Sequence, residues 1–323
     1  MAFIDAQNLS RSFVRYSAAK GGGLSRLWRR ERTTVNALSS ATCTVDRGEL
    51  VGLIGPNGAG KSTTVKLLTG ILTPSDGTCT VDGRIPWQER REHVRRLGAV
   101  FGQRTQLWWD VPIRDSFALL RDIYSLDQGR WQQRLDMLVA ALDLGDLLGA
   151  PLRQLSLGQR MRAELCGSLL HEPALLFLDE PTIGLDAVSK LKLRAFLKEE
   201  NARGTTILLT THDMEDMLAL CTRVMVLGHG RLLYDGQLDA LLRRYDTVHT
   251  LRVAYESAPN LDGLAGLDIT KDGEQYILTY EPAKKPTSAV LPLVLSAGAV
   301  REMTLKEQNV DELIARMYQE MAL

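Results

Sequence analysis

Gly55-Pro56-Asn57-Gly58-Ala59-Gly60-Lys61-Ser62-Thr63 is the stretch around which this chain is organised. An apolar run, Leu50-Val51-Gly52-Leu53-Ile54, precedes it, and Val65, Leu68 and Leu72 follow at helical spacings of three and four. A buried strand, a glycine-rich turn and a helix start are the setting that a phosphate-binding loop needs. Glycines let successive backbone N–H groups converge on phosphate oxygens with no side chain in the way. The helix N-terminus adds its partial positive charge. Lys61 supplies a mobile ammonium for β- and γ-phosphates, and the Ser62 hydroxyl is placed to bind Mg²⁺. The competing reading, a surface glycine-rich turn, does not account for the strand and helix on either side.

The chain has 323 residues, more than one compact core usually takes, so a large domain with a smaller one is expected. Its 39 Lys and Arg balance 39 Asp and Glu, so no global charge draws it to nucleic acid or to an acidic partner. Apolar content of 45% and charged content of 24% fit a soluble globular protein. No apolar run approaches bilayer length. The opening residues MAFIDAQNLS lack the basic and apolar regions of a signal peptide. Cys43, Cys79, Cys166 and Cys221 are isolated and read as reduced, mostly buried residues of a cytosolic protein.

Residues 3–9 and 42–46 read as strands, and the turn Asp46-Arg47-Gly48 leads the second, antiparallel, into the strand before the glycine-rich loop. Phe13 is either a core aromatic or a plate on which a purine stacks, and Tyr16 competes for the second role. Within the basic insertion at 17–34, Gly21, Gly22 and Gly23 break the chain. Leu24, Leu27 and Trp28 then share a helical face ringed by Arg26, Arg29, Arg30 and Arg32. That pattern is a short basic amphipathic helix near lipid headgroups or a membrane partner, or else a solvated loop with a basic helical turn.

Beyond the loop, 78–81 and 97–101 read as strands, with Gln103 directly after the second. Helical patterns near 115–126 and 130–144 suggest an all-α insertion in an α/β core. Leu155-Ser156-Leu157-Gly158-Gln159 opens a further helix, and a Ser and a Gly there can form an anion site. Leu175-Leu176-Phe177-Leu178 is a continuous apolar run, the mark of a central parallel strand, and it ends in Asp179-Glu180. Asp179 can hold Mg²⁺, through water, and Glu180 can orient or deprotonate the water that attacks a γ-phosphate. The strand 205–210 is followed by His212, which can donate to a γ-phosphate oxygen. Residues 224–227 and 231–234 read as a hairpin. Strands at 247–255, 267–271, 275–280 and 299–304, a helix near 287–297 and a last helix from Asn309, capped with Glu312, make a small α+β domain.

The ordered set of 55–63, Gln103, 155–159, 175–180, Asp186 and His212 resembles the ATP-binding subunits of ABC transporters across roughly residues 3–240. The elements correspond to the Walker A loop, Q-loop, signature, Walker B with its catalytic glutamate, D-loop and H-loop. The resemblance implies an α/β fold: a P-loop ABC ATPase core with an antiparallel β subdomain and an α-helical insertion at about 105–172. It spans 1–240, and a small C-terminal α+β domain occupies 245–323. The implied nucleotide contacts are Phe13, Gly55, Asn57, Gly58, Gly60, Lys61, Ser62, Thr63, Gln103, Ser156, Gly158 and Gln159. Mg²⁺ would be held by Ser62, Gln103 and Asp179, and the catalytic residues would be Glu180 and His212. The implied state is a head-to-tail homodimer in which Ser156 and Gly158 of one copy close over ATP at Lys61, Ser62 and Asp179 of the other. Asp186 would shape that contact, and Gln103 would pass γ-phosphate and Mg²⁺ occupancy to a membrane subunit. Leu157 departs from the commonest signature, which has Gly there; its side chain is expected to point away from the phosphate.

A single cassette implies separate membrane proteins. The basic insertion, the stretch at 101–110 and the C-terminal domain together look like bacterial exporters of the drug and polysaccharide-export class. The expected place is the cytoplasmic face of the inner membrane, beside one or two kinds of multi-spanning permease subunit, with no nucleic acid. The alternatives are a soluble ABC ATPase acting on ribosomes or DNA, and a P-loop kinase or GTPase. The first usually has two cassettes or a long coiled-coil insertion. The second leaves 155–159 and His212 unexplained and lacks an N-K-x-D motif.

Overall fold

The apolar run before the glycine-rich loop is a strand, Leu50–Ile54, buried along its whole length. A strand buried on both faces belongs inside a parallel sheet, and the computed structural model places it there. The structure describes residues 2–18, 30–102, 105–211, 213–245, 248–264, 266–282, 284–306, 315 and 317–320. They form two compact units, Met1–Gly236 and Gln237–Leu323.

The first unit runs β1 (Ile4–Ala18), β2 (Arg30–Val45), β3 (Leu50–Ile54), α1 (Lys61–Leu68), β4 (Asp76–Val81), α2 (Arg90–Val94) and β5 (Leu97–Phe101). Then come α3 (Ile113–Tyr124), α4 (Gln128–Ala141), α5 (Leu157–Leu169), β6 (Leu175–Asp179), α6 (Ala187–Ala202), β7 (Thr206–Thr210), α7 (Met214–Leu220), β8 (Arg223–Gly228) and β9 (Arg231–Gln237). Six strands form one sheet in the order β5-β6-β7-β3-β8-β9. Its parallel register aligns Phe101, Asp179 and Thr210 at one edge. That carboxyl edge, where open α/β sheets bind ligands, also carries the loop after β3. β9 closes the sheet across the two-residue turn His229-Gly230, both at positive φ, the geometry that matches strand twist in a hairpin.

β2 does not pair with β3. It pairs antiparallel with β1, which pairs in turn with β4. The sequence carries the reason. In β2, buried Leu38, Ala41 and Val45 are interspersed with exposed residues, a one-faced strand, whereas β3 is buried on both faces. The chain changes sheets at the Asp46-Arg47-Gly48 turn, where the Asp46 N–H donates to Glu49 Oε2 at 2.7 Å. Phe3, Ile4, Leu9, Leu38 and Val45 join Val51, Leu53, Phe177 and Leu208 in one buried cluster. Each such side chain contributes about 1.5–3 kcal/mol on burial.

β4 follows β1 only to the Ser10–Asp76 pair, while β1 and β2 continue as a two-stranded ribbon to Ala18–Arg30. Residues 30–34 are therefore strand, so the helix expected within 17–34 does not include Arg30 or Arg32. Leu24, Leu27 and Trp28 lie outside the described residues. Phe13 is exposed on the ribbon opposite Val35, which removes its core reading.

The expected helical insertion is present. α3 buries Ile113, Phe117 and Leu120, and α4 buries Trp131, Leu135 and Leu138. Asp127 caps α4 by accepting from the Arg130 N–H. Arg134 on α4 donates twice to Glu200 on α6, at 2.6 and 3.2 Å, and the Glu200 side chain is 2% exposed. This buried pair ties the helical segment to the sheet's helices.

The second unit contains α8 (Leu238–Tyr245), β10 (His249–Tyr255), β11 (Asp268–Asp272), β12 (Gln275–Tyr280), α9 (Thr287–Ser296) and β13 (Val300–Lys306). Its antiparallel sheet has the order β11-β12-β10-β13. Leu251, Val253 and Leu278 pack with Val290 and Val294 of α9, and Tyr255 Oη donates to the Val294 carbonyl at 3.1 Å. Residues 315 and 317–320 are helical, while the Asn309 and Glu312 cap lies outside the described residues. Arg134→Ala, which leaves Glu200 buried with only the half-exposed Arg203 beside it, is expected to cost about 3 kcal/mol in the unfolding of the first unit. An unchanged urea midpoint would contradict that role.

Candidate nucleotide site

The loop between β3 and α1 is shaped by glycine. Gly55 has φ 151, and a Cβ there would lie 2.2 Å from the Leu227 carbonyl oxygen. Gly60 has φ 109, and its Cβ would lie 2.6 Å from the Ala37 oxygen. Backbone meets backbone at both points, so no other residue fits without displacing β8 or β2. The Gly230 N–H donates to the Ala59 carbonyl at 3.0 Å and clasps the loop from the β8–β9 turn. No side chain caps the α1 N-terminus, and its first turn carries no acid. Its leading N–H groups stay available to an anion.

The loop opens on a cleft of about 720 Å³. Asn57, Gly58, Gly60, Lys61, Ser62 and Thr63 line one side, and Asp179 and Glu180 line the other with Phe101 and Gly102. Lys61 Nζ donates to the carbonyls of Gly55 and, at 3.2 Å, Pro56. Burial pulls the Lys61 ammonium below the usual lysine range, and Asp179 and Glu180 oppose that shift. A phosphate chain would reinforce the charged form.

Asp179 closes β6 between Phe101 and Thr210, and the Thr210 hydroxyl donates to its Oδ1. One carboxylate oxygen is thereby held and the group is oriented. Glu180 turns out of the strand at φ 55, a conformation that costs a non-glycine residue of order 1–3 kcal/mol. Its N–H donates to the Thr210 carbonyl at 2.9 Å, which fixes this turn. Strain held in place this way clusters at functional sites. Ser62 and Asp179 are hard oxygen donors of the kind Mg²⁺ takes. Among the described residues no cluster of three or more His, Cys, Asp or Glu could hold a metal by itself. A Mg²⁺ ion here would depend on phosphate and water as well, as it does in nucleotide sites.

Ser156, Gly158, Gln159 and Asp186 do not line this cleft. Ser156 is exposed and caps α5: its Oγ accepts from the Gln159 N–H at 3.3 Å, while the Ser156 N–H donates to Gln159 Oε1 at 2.9 Å. That capping box sits at an exposed helix end, with Ser156 and Leu157 both open to solvent. Asp186 caps α6, accepting from the Ser189 N–H and Oγ at 2.9 and 2.7 Å, and these bonds hold its carboxyl below the usual range. Phe13 is not among the residues lining the cleft, whereas Ala37 of β2 is. Gln103 and His212 lie outside the described residues. They follow Gly102, which lines the cleft, and Thr211, which is buried.

Sequence reasoning missed the supports. Thr182 donates to the buried carboxylate of Asp216, which Arg194 also holds at 2.6 Å, and Lys190 pairs with Asp213. These contacts fasten the loop after Glu180 to α6 and α7. Asp213 before a helical run was readable as an N-cap; the cross-links of Thr182 and Thr210 depend on sheet register and were not.

A glycine-rich loop on a central parallel strand, facing an acidic pair two strands away, defines a P-loop nucleoside triphosphatase. A family model described as ABC transporter matches residues 38–183. The ABC transporter ATP-binding protein NatA of Bacillus subtilis (strain 168) is 31% identical over 217 residues, covering 67% of this chain and 88% of NatA. The daunorubicin resistance ATP-binding protein DrrA3 of Streptomyces coeruleorubidus is 31% identical over 287 residues, covering 87% and 90%. A solved ATP-binding subunit of an ABC transporter superposes with a TM-score of 0.63 at 28% identity, over 75% of this chain and 93% of that one. The chain belongs to the ABC transporter ATP-binding family and is an ABC-type ATPase.

Gly60→Ala is expected to weaken MgATP affinity at least about tenfold, because the added Cβ needs both a strained φ and the space of the Ala37 carbonyl. Titration of a fluorescent ATP analogue measures it, and unchanged affinity would refute this account of the loop.

Proposed function

We propose that this chain drives export through separate membrane subunits by hydrolysing MgATP between two head-to-tail copies of itself. The observation that carries the reading is the division of the site. Lys61, Ser62, Asp179 and Glu180 line one cleft, while the Ser156 cap at the α5 N-terminus stands outside it and exposed. Each chain then offers half of the γ-phosphate contacts to its own nucleotide and half to its partner's. ATP joins the copies and hydrolysis loosens them.

In this mechanism Lys61 and the loop N–H groups hold the β- and γ-phosphates, with Asn57 and Thr63 beside them. Ser62, Asp179 and Gln103 hold Mg²⁺, which would neutralise charge developing on the phosphates. Glu180 orients and deprotonates the attacking water, and His212 donates to the γ-phosphate. Ser156, Gly158 and Gln159 close over the partner's nucleotide, and Asp186 shapes the contact. The strained, cleft-lining position of Glu180 supports its assignment as the base.

The export reading draws on DrrA3, a resistance protein whose match of 287 residues is longer than the first unit alone and so reaches into the second. No helix among the described residues is long and apolar enough to cross a membrane, which agrees with a peripheral subunit on the cytoplasmic face of the inner membrane beside one or two kinds of permease.

Glu180→Gln is expected to keep MgATP affinity, lower turnover at least about 100-fold and trap an ATP-bound dimer. Hydrolysis at the parental rate would show that Glu180 is not the base. Purification from native membranes in mild detergent is expected to recover multi-spanning proteins at near-equal stoichiometry. Ribosomal or DNA-bound partners in their place would contradict the transport reading.

A further inference from the structure

Leu157, the residue that departs from the commonest signature, is engaged with the loop that follows Glu180. Gly184 has φ +73, and a Cβ on it would lie 2.6 Å from Leu157 Cδ2 and 2.9 Å from Cγ. The Leu157 isobutyl group therefore rests directly on the Gly184 Cα. The packing is reciprocal: a Cβ on Gly158 would lie 2.8 Å from Leu185 Cδ2 and 3.1 Å from the Gly184 oxygen. Each leucine fills the space that the other segment's glycine leaves open. Leu157 nevertheless remains 44% exposed. A contact so open to water contributes little core burial, so its consequence is geometric.

The loop containing Gly184 reaches in two directions. Toward the cleft, the Ile183 N–H donates to the Glu180 carbonyl at 3.3 Å, and both residues line the cleft. Toward the helices, Thr182 is bonded to Asp216, and Asp186 caps α6. On the other side of the interlock, Leu157 is the first residue of α5, directly after the Ser156 cap. The interlock is thus the point where the wall of a chain's own cleft touches the half-site it presents outward.

We infer that Leu157 and Gly184 are positioning residues: their interlock fixes Ser156 relative to Glu180, so that occupancy of one copy's cleft sets the half-site given to the other. This rests on the proposed sharing of the site between two copies. When a nucleotide moves the Glu180–Ile183 turn, Gly184 carries Leu157 and the α5 cap with it. With glycine at position 157 only the Leu185–Gly158 half of the packing would remain, and the two sites of a dimer would be more weakly linked.

Steady-state hydrolysis against ATP concentration in the full chain, with binding of a fluorescent ATP analogue measured in parallel, tests this. Leu157→Ala keeps a good helix former at the first position of α5 and removes the atoms that cover Gly184. It is expected to leave nucleotide affinity within about twofold, lower kcat about fivefold and bring the Hill coefficient toward 1. Leu157→Met, which can cover Gly184 with a flexible side chain, is expected to restore both. Parental kcat and Hill coefficient in Leu157→Ala would overturn the inference, as would a fall in affinity proportional to the fall in kcat. Ser156→Asp separates this from the underlying reading. Aspartate caps as well as serine but sets a negative charge against a phosphate. If Ser156→Asp abolishes hydrolysis while Leu157→Ala behaves as parental, only the interlock role fails. If Ser156→Asp hydrolyses normally, the shared site fails and the interlock role with it.

Discussion

The close passage of backbone past backbone at the glycine-rich loop is the constraint on which the rest of this molecule depends. Gly55 lies against Leu227 of β8 and Gly60 against Ala37 of β2, so the loop is pressed between two strands of different sheets. The three-stranded sheet matters for this reason: it forms the wall that holds the turn open for phosphate. The Gly230 clasp from the β8–β9 hairpin completes the enclosure. A loop built this way is preorganised, and its N–H groups need little reordering when an anion arrives.

The parallel register of the large sheet then sets the chemistry opposite that loop. Phe101, Asp179 and Thr210 end their strands in line, which places an oriented carboxylate across from Lys61. Glu180 follows at a left-handed backbone angle that its N–H bond to the Thr210 carbonyl and the fastening of the next loop help to hold. The buried Asp216, with Thr182 and Arg194 on it, supplies that fastening. The Asp216 carboxylate is stable at that depth because both of its oxygens accept a hydrogen bond. The α5 cap, exposed at Ser156 and Leu157, has no comparable enclosure.

Much of this is legible in the amino-acid sequence. The run Leu50–Ile54 and the glycines after it specified strand, loop and helix together, because continuous burial and φ freedom both leave a compositional trace. The run ending in Asp179 did the same for β6. Less was readable where burial is one-sided or absent. The β1–β2 ribbon beyond Ser10 exposes Phe13, Val14 and Val35 alike, so no alternation announced it, and its basic residues read as a helix. In α6, Val188 and Leu191 are exposed beside buried Leu193, Phe196 and Leu197, which blurs the helical period. The Leu157–Gly184 contact joins residues far apart in the chain, and only the fold brings them together. The sequence marked Leu157 as a departure but did not say what it touches.

The central claim is that one working site is built from two chains. Mixing Lys61→Ala chains, which lack the phosphate-holding ammonium, with Ser156→Asp chains, which lack the outward half-site, tests it most directly. A mixed dimer pairs the intact Lys61 of one chain with the intact Ser156 of the other and so contains one complete site. The account predicts that hydrolysis, absent from either variant alone, returns when the two are mixed and rises with the fraction of mixed dimers. A mixture as inactive as its separate components would show that each chain completes its own site and would contradict the account.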